Sequence, residues 1–69
     1  MGSEELHNDL KVLRAKHGLT QEQLAEKVGV TRKTINTVET GRFVPSTILA
    51  LKLARAFEVP VEEVFSLEP

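Results

Sequence analysis

The sequence predicts an all-α fold of five short helices, and three observations predict it. Apolar residues recur at three- and four-residue steps through most of the chain. Cap-type residues, Thr20, Thr31 and Ser46, precede such runs, while Gly18, Gly29 and Gly41 follow them. No run of strand length alternates apolar with polar residues, and there is no internal repeat or low-complexity tract. With 69 residues, of which 41% are apolar, a second core would have too few residues to close, so one domain is expected over 1–69.

Leu6, Leu10, Leu13 and His17 share one helical face and define helix 1, with Asp9 early and Lys16 and His17 in the last turn, the order the helix dipole favours. Gly18 ends it. Thr20 stands before Gln21, and Gln23 follows three residues after Thr20, the spacing of a capping box at the start of helix 2. That helix runs to Val28, and Gly29 supplies the left-handed stop. Only Val30 separates Gly29 from Thr31, the expected N-cap of helix 3, which Gly41 closes. Two helices joined by so short a turn cross steeply, with Leu24, Ala25, Val28, Val30, Ile35 and Val38 turned inward. Pro45 and Ser46 start helix 4, whose Ile48, Leu49, Leu51, Leu53, Ala54 and Phe57 make it broadly apolar, as suits a central core helix. After Val59-Pro60, the residues Val61, Val64 and Phe65 form a short helix 5 with Glu62 and Glu63 on its polar side.

Composition removes several function classes. There is no cysteine, hence no disulfide, thiolate metal site or cysteine nucleophile. His7 and His17 are ten residues apart, which does not place two ligands on one helical face, so no metal is expected. The few serines lack evident His and acid partners, and a chain this small offers little room for a substrate pocket; neither an enzyme nor a cofactor is expected. The apolar stretches are too short for a membrane span or a signal-peptide core, so a soluble, cytoplasmic protein is expected. The net charge of -1 is a sum over unlike regions. Residues 10–55 hold all nine Lys and Arg against Glu22, Glu26 and Glu39, a net of +6, while Glu4, Glu5, Asp9, Glu58, Glu62, Glu63 and Glu68 make the ends acidic without a base. That polarity suits one face on DNA and another turned away, and charge alone suits an ordinary solvated mixed surface equally well.

The run from Thr20 to Gly41, with its cap, its small Ala25, its Gly29 stop, its Val30 plug and its inward Ile35 and Val38, closely resembles the helix-turn-helix of the Cro and lambda-repressor family of small transcriptional regulators of the xenobiotic-response-element type. The resemblance extends from Leu10 to about Leu67, and Phe43 to Leu53 is similar to the helix 4 entry of a minimal single-domain subgroup. It implies a compact five-helix lambda-repressor-like domain with the helix-turn-helix at Gln21 to Thr40. A B-DNA major groove admits one helix, whose first turn reaches base edges. Arg32 and Lys33 suit guanine, Asn36 suits adenine or a phosphate, and Thr37 suits a thymine methyl. The resemblance places the base-facing residues at these same four positions. It implies that Gln21 binds phosphate and braces the start of helix 3, with Thr34 nearer the backbone; Thr31, Thr40 and Arg42 flank helix 3 as phosphate anchors. It also implies that Arg14 and Glu39 form a structural ion pair, which would turn an acid that otherwise repels phosphate into the scaffold.

One reading helix covers only about four or five base pairs, so a homodimer on a palindromic site of double-stranded DNA is expected. Residues 60–69 are the candidate dimerisation segment through Val61, Val64, Phe65 and Leu67, the alternative being that they close the core; Phe43 is a second exposed aromatic. The chain departs from the family's usual pattern at Thr40, where Asn is common, at Glu58, where Gly often ends helix 4, and at Pro60, in place of a capping Ser. The expected function is a DNA-binding transcriptional regulator, a repressor. The alternative is a protein-interaction module, such as an antitoxin or an anti-repressor partner, using the acidic C-terminal face. Single-strand RNA readers use exposed aromatics, which three Phe and no Tyr or Trp do not supply.

Overall fold

The computed structural model describes residues 5–68, in the order β1 (Glu5–Asn8), α1 (Leu10–His17), α2 (Gln21–Val28), α3 (Arg32–Glu39), α4 (Thr47–Phe57), α5 (Val61–Val64) and β2 (Phe65–Glu68). Glu4 and Pro69, which the sequence reading placed in the acidic N-terminal end and the dimerisation segment, lie outside the described residues, as does the side chain of Glu68.

Five helices form, and their ends use the residues the sequence marks. The Thr20 hydroxyl accepts from the Gln23 N–H at 3.0 Å while Gln23 Oε1 accepts from the Thr20 N–H at 2.9 Å, a complete capping box. Thr31 accepts from Thr34 N at 3.2 Å and Ser46 from Leu49 N at 3.1 Å, starting α3 and α4. Gly29 ends α2 at φ 75°, a left-handed conformation that carries no Cβ penalty in glycine. Glu58 does the same for α4 at φ 57°, with a side chain in place of the usual glycine. Pro60 opens α5 without a side-chain cap.

Two features depart from the sequence reading. β1 and β2 pair as an antiparallel ladder, with Leu6 opposite Leu67 and Asn8 opposite Phe65, where no strand was expected. Each strand has only four residues, too few for period-two patterning to stand out, and its partner lies at the other end of the chain. Leu6 therefore belongs to β1, and α1 starts at Leu10. Its first turn is fixed by Leu10 N donating to Asn8 Oδ1 at 3.1 Å, and Asp9 N alongside donates to Val64 O at 2.9 Å.

The core is one cluster, drawn from all five helices, around the fully buried Leu10, Leu24, Ile35 and Leu53, with Phe57 and Val64 nearly so. α4 is the second departure. It buries Leu49, Leu53, Ala54 and Phe57, but Ile48 and Leu51 face outward at 68% and 52% exposure, so this helix packs along one side only. Of the two histidines, His7 lies on β1 with Nε2 3.1 Å from Asp9, and the His17 ring packs on Phe57 at 5.2 Å between centroids. Among the described residues, no helix is long and apolar enough to cross a membrane.

Candidate nucleic-acid interface

The sequence-predicted reading surface is built on α2, the turn and α3. Leu24, Ala25 and Val28 of α2 and Ile35 and Val38 of α3 are buried against each other, and Val30 packs on the core from the turn. That packing spends one side of α3 and leaves the other outward. Arg32, Lys33 and Asn36 are exposed on it and Thr37 is half-buried. Lys33, Thr34, Thr37, Arg42 and Phe43 line one shallow depression beside α3, which brings two cations together with hydroxyl and apolar surface. Arg32 and Asn36 lie outside it, Asn36 on the flank that meets Gln21.

The threonines have partners within α3. Thr31 Oγ1 and Thr34 Oγ1 are 3.0 Å apart, the Thr37 hydroxyl donates to Thr34 O at 2.9 Å, and the Thr40 hydroxyl donates to Asn36 O at 2.9 Å. Thr37 therefore offers its methyl rather than its proton. Thr40 has already given its proton to the helix C-terminus, so a phosphate there would have to compete for it. Arg42 is exposed, and so is Thr31.

Behind α3 lies a polar network. Arg14 meets Glu39 through Nε to Oε2 at 2.6 Å and Nη2 to Oε1 at 3.2 Å, a two-point charge-assisted contact, and Arg14 Nη1 also donates to Leu19 O at 3.0 Å. The Glu39 hydrogen bond raises the Arg14 pKa above its ordinary value and outweighs the opposing effect of burial. Gln21 Nε2 donates to Glu39 Oε1 at 3.1 Å and to Asn36 Oδ1 at 3.2 Å. The carboxylate accepts only, which fixes which end of the Gln21 amide faces it. Gln21 thus braces the middle and last turn of α3 rather than its start, because the Glu39 charge draws its donors. No buried side-chain nitrogen or oxygen lacks a partner among the described residues.

The four residues expected at a dimer interface separate. Val64 is 1% exposed and belongs to the chain's own core, where it has no surface left for a partner; this corrects its assignment. Val61 and Phe65 are half-buried against the same core. Leu67 is 63% exposed. A groove between the sheet and the α3–α4 loop gathers Leu6, Phe43, Val44 and Phe65.

Sequence reasoning gave no role to Asn8. Its Nδ2 donates to Val38 O at 3.0 Å and to Glu39 O at 3.4 Å, at the C-terminus of α3. An Asn before a helix is a legible capping signal, but a partner thirty residues on is not.

A family model described as helix-turn-helix matches residues 10–64 of the chain. The chain is similar to the uncharacterized HTH-type transcriptional regulator YgzD of Bacillus subtilis (strain 168), at 51% identity over 91% of this chain and 96% of that protein. It is 49% identical to the uncharacterized HTH-type transcriptional regulator MJ0272 of Methanocaldococcus jannaschii over the same shares. Among solved structures it resembles the restriction-modification controller protein C.AhdI of Aeromonas hydrophila, with a TM-score of 0.74 and 39% identity over 78% of this chain and 82% of that one.

Proposed function

This chain belongs to the helix-turn-helix family of DNA-binding transcriptional regulators, which are not enzymes, and from that membership we propose that it is a repressor that lays α3 in the major groove of a short palindromic operator as a homodimer. The observation that carries the reading is the division of α3 into two sides. Its one acid is held inward by Arg14 and Gln21, while Arg32, Lys33 and Asn36 stand outward.

In this reading Arg32 and Lys33 donate to guanine O6 and N7, and the Thr37 methyl meets a thymine methyl. Asn36 reads adenine with its amide: Gln21 occupies one lone pair of Oδ1, leaving the second to accept from adenine N6 and Nδ2 to donate to N7. Arg42, Thr31, Thr34, Thr40 and Gln21 hold the phosphates on either side, Thr40 by exchanging its helix contact for one to DNA and Gln21 through its backbone N–H at the start of α2, since both of its side-chain N–H groups are given to Asn36 and Glu39. Two copies related by a two-fold axis set their reading helices about 34 Å apart. Leu67, with the rims of Phe65 and Val61, supplies apolar surface for that pairing, and the groove lined by Phe43 and Val44 extends it. Repression would follow from occupying the DNA that polymerase needs.

Selection of bound duplexes from a random pool tests the whole reading, since it reports site sequence, palindromy and half-site spacing together. The expected result is a palindrome whose preference at one position relaxes in Arg32→Ala, at a cost of about 1–3 kcal/mol. A non-palindromic site would overturn the dimer and leave the helix-turn-helix reading intact. Binding no tighter to any sequence than to bulk DNA would overturn the operator reading and favour a protein-interaction module.

A further inference from the structure

We infer that Asn8 is a positioning residue for DNA recognition: its side-chain amide bridges the start of α1 to the end of α3 and holds the reading helix in the pose that sequence discrimination needs. The inference rests on the reading that α3 enters the major groove.

The orientation of the amide is unambiguous. The Leu10 N–H, a donor, faces Oδ1 at 3.1 Å, and the Val38 carbonyl, an acceptor, faces Nδ2 at 3.0 Å, with the Glu39 carbonyl sharing the same nitrogen at 3.4 Å. A flipped amide would oppose like groups at both ends. One side chain thus satisfies an N–H at one helix start and reaches two carbonyls at another helix end, one of which, Val38 O, it shares with Gly41 N.

The carbonyls of the last turn of α3 show why this contact matters. Asn36 O accepts from Thr40 N, and Thr37 O from Arg42 N and Phe43 N, all groups that follow α3 directly in the chain. Val38 O accepts from Gly41 N and from Asn8, and the hydrogen bond to Glu39 O comes from Asn8. Asn8 is thus the donor to these carbonyls that comes from a distant element. The element behind it is itself tied down: Asn8 pairs with Phe65 in the ladder, and the next residue, Asp9, donates its N–H to Val64 O at 2.9 Å.

The reading helix is therefore held at two levels. Gln21 and Arg14 grip it through the side chains of Asn36 and Glu39, and Asn8 grips its backbone at the C-terminal end. Core packing through Ile35 and Val38 and the side-chain grips hold the inward side of this eight-residue helix, and the Asn8 contact adds a hold on its backbone at the C-terminal end, where a small tilt would otherwise begin. Base contacts are directional and sensitive to a tilt, whereas phosphate contacts by long flexible cations are tolerant, so loss of Asn8 should fall on discrimination and spare non-specific binding.

Two substitutions separate capping from bridging. Asn8→Ser keeps a cap-type oxygen for Leu10 N but is too short to reach α3, and Asn8→Asp keeps the same acceptor while placing a carboxylate against the α3 carbonyls. Affinity for the selected duplex and for a scrambled duplex is measured by fluorescence anisotropy across a salt series, at a temperature where circular dichroism shows each variant with wild-type helicity. Asn8→Ser is expected to lower the ratio of specific to non-specific affinity about ten-fold, the worth of one misaligned base contact, and Asn8→Asp to lower it further. The non-specific affinity and its salt dependence should not move. Amide hydrogen exchange, read on the same samples, should quicken in the last turn of α3 and not in α2. An unchanged affinity ratio in both variants would overturn the role of Asn8 alone, as would a parallel loss of specific and non-specific binding. A wild-type protein without sequence preference would overturn the reading of α3 and this inference with it.

Discussion

Replacing Arg14 with Ala removes the guanidinium from a carboxylate that has almost no water to fall back on. Glu39 is 7% exposed and Arg14 16%, and the substitution deletes three contacts at 2.6, 3.2 and 3.0 Å, the last to the Leu19 carbonyl. What remains for Glu39 is the single Gln21 N–H donor at 3.1 Å. Breaking a buried pair by removing one partner costs about 3–5 kcal/mol, and the surviving Gln21 bond and the partial exposure of Arg14 place this case near the lower end, at about 3 kcal/mol. A chain of this length has a total stability of roughly 3–10 kcal/mol, so the loss is a large share of it. The melting temperature should fall by roughly 12–24 °C, at about 4–8 °C per kcal/mol for a domain of this size. Urea and thermal unfolding followed by circular dichroism measure it, with Arg14→Met combined with Glu39→Leu as the control. That double change removes both charges and should cost much less than Arg14→Ala alone. A loss under about 1 kcal/mol, the value of a solvent-exposed pair, would refute the reasoning that the pair is part of the scaffold. The pH dependence has a definite sign. The raised Arg14 pKa means that its contribution is full at neutral pH and is lost only as pH rises through that raised value, far into the alkaline range.

Glu58→Gly should stabilise the protein by about 0.5 kcal/mol. It relieves a left-handed conformation at φ 57° that costs a side chain roughly 1 kcal/mol, and glycine's greater freedom in the unfolded chain offsets part of the gain; the urea midpoint reports it. Thr20→Ala should cost about 1 kcal/mol in the same assay, because it removes the oxygen that accepts the Gln23 N–H and leaves half a capping box. Arg42→Ala should weaken binding to specific and scrambled duplexes alike and lower the slope of log affinity against log salt by about one; a change in base preference instead would make Arg42 a reader rather than an anchor.

Much of the proposed reading surface is legible in the residues because it depends on local rules. Arg32, Lys33 and Asn36 follow from a helix whose start is marked by Thr31 and whose inward face is marked by Ile35 and Val38; once the period is known, the outward side is known. The caps are legible for the same reason, since Thr20 and Gln23 act within one turn. Thr37 and Thr40 show where this reasoning stops. Their positions follow from the period, but the turn of each hydroxyl onto the helix backbone is a rotamer choice that the sequence does not display. Ile48 and Leu51 show another limit. Their apolar character fits a helix buried all round, and only the absence of a neighbour on that side leaves them exposed.

The sequence by itself determined that five helices form, the Gly18 and Gly29 stops, the all-α class and the polarity of α3, because each rests on hydrogen bonds and side-chain periods spanning a few residues; Phe65, which it put in helix 5, lies in β2. The tertiary structure alone decided what depends on distant residues meeting. It paired residues 5–8 with 65–68, took Val64 into the core, turned Gln21 toward Glu39 and set Asn8 against the end of α3. Short strands and single amides leave no periodic trace, so their partners become known only when packing has brought the two ends of the chain together.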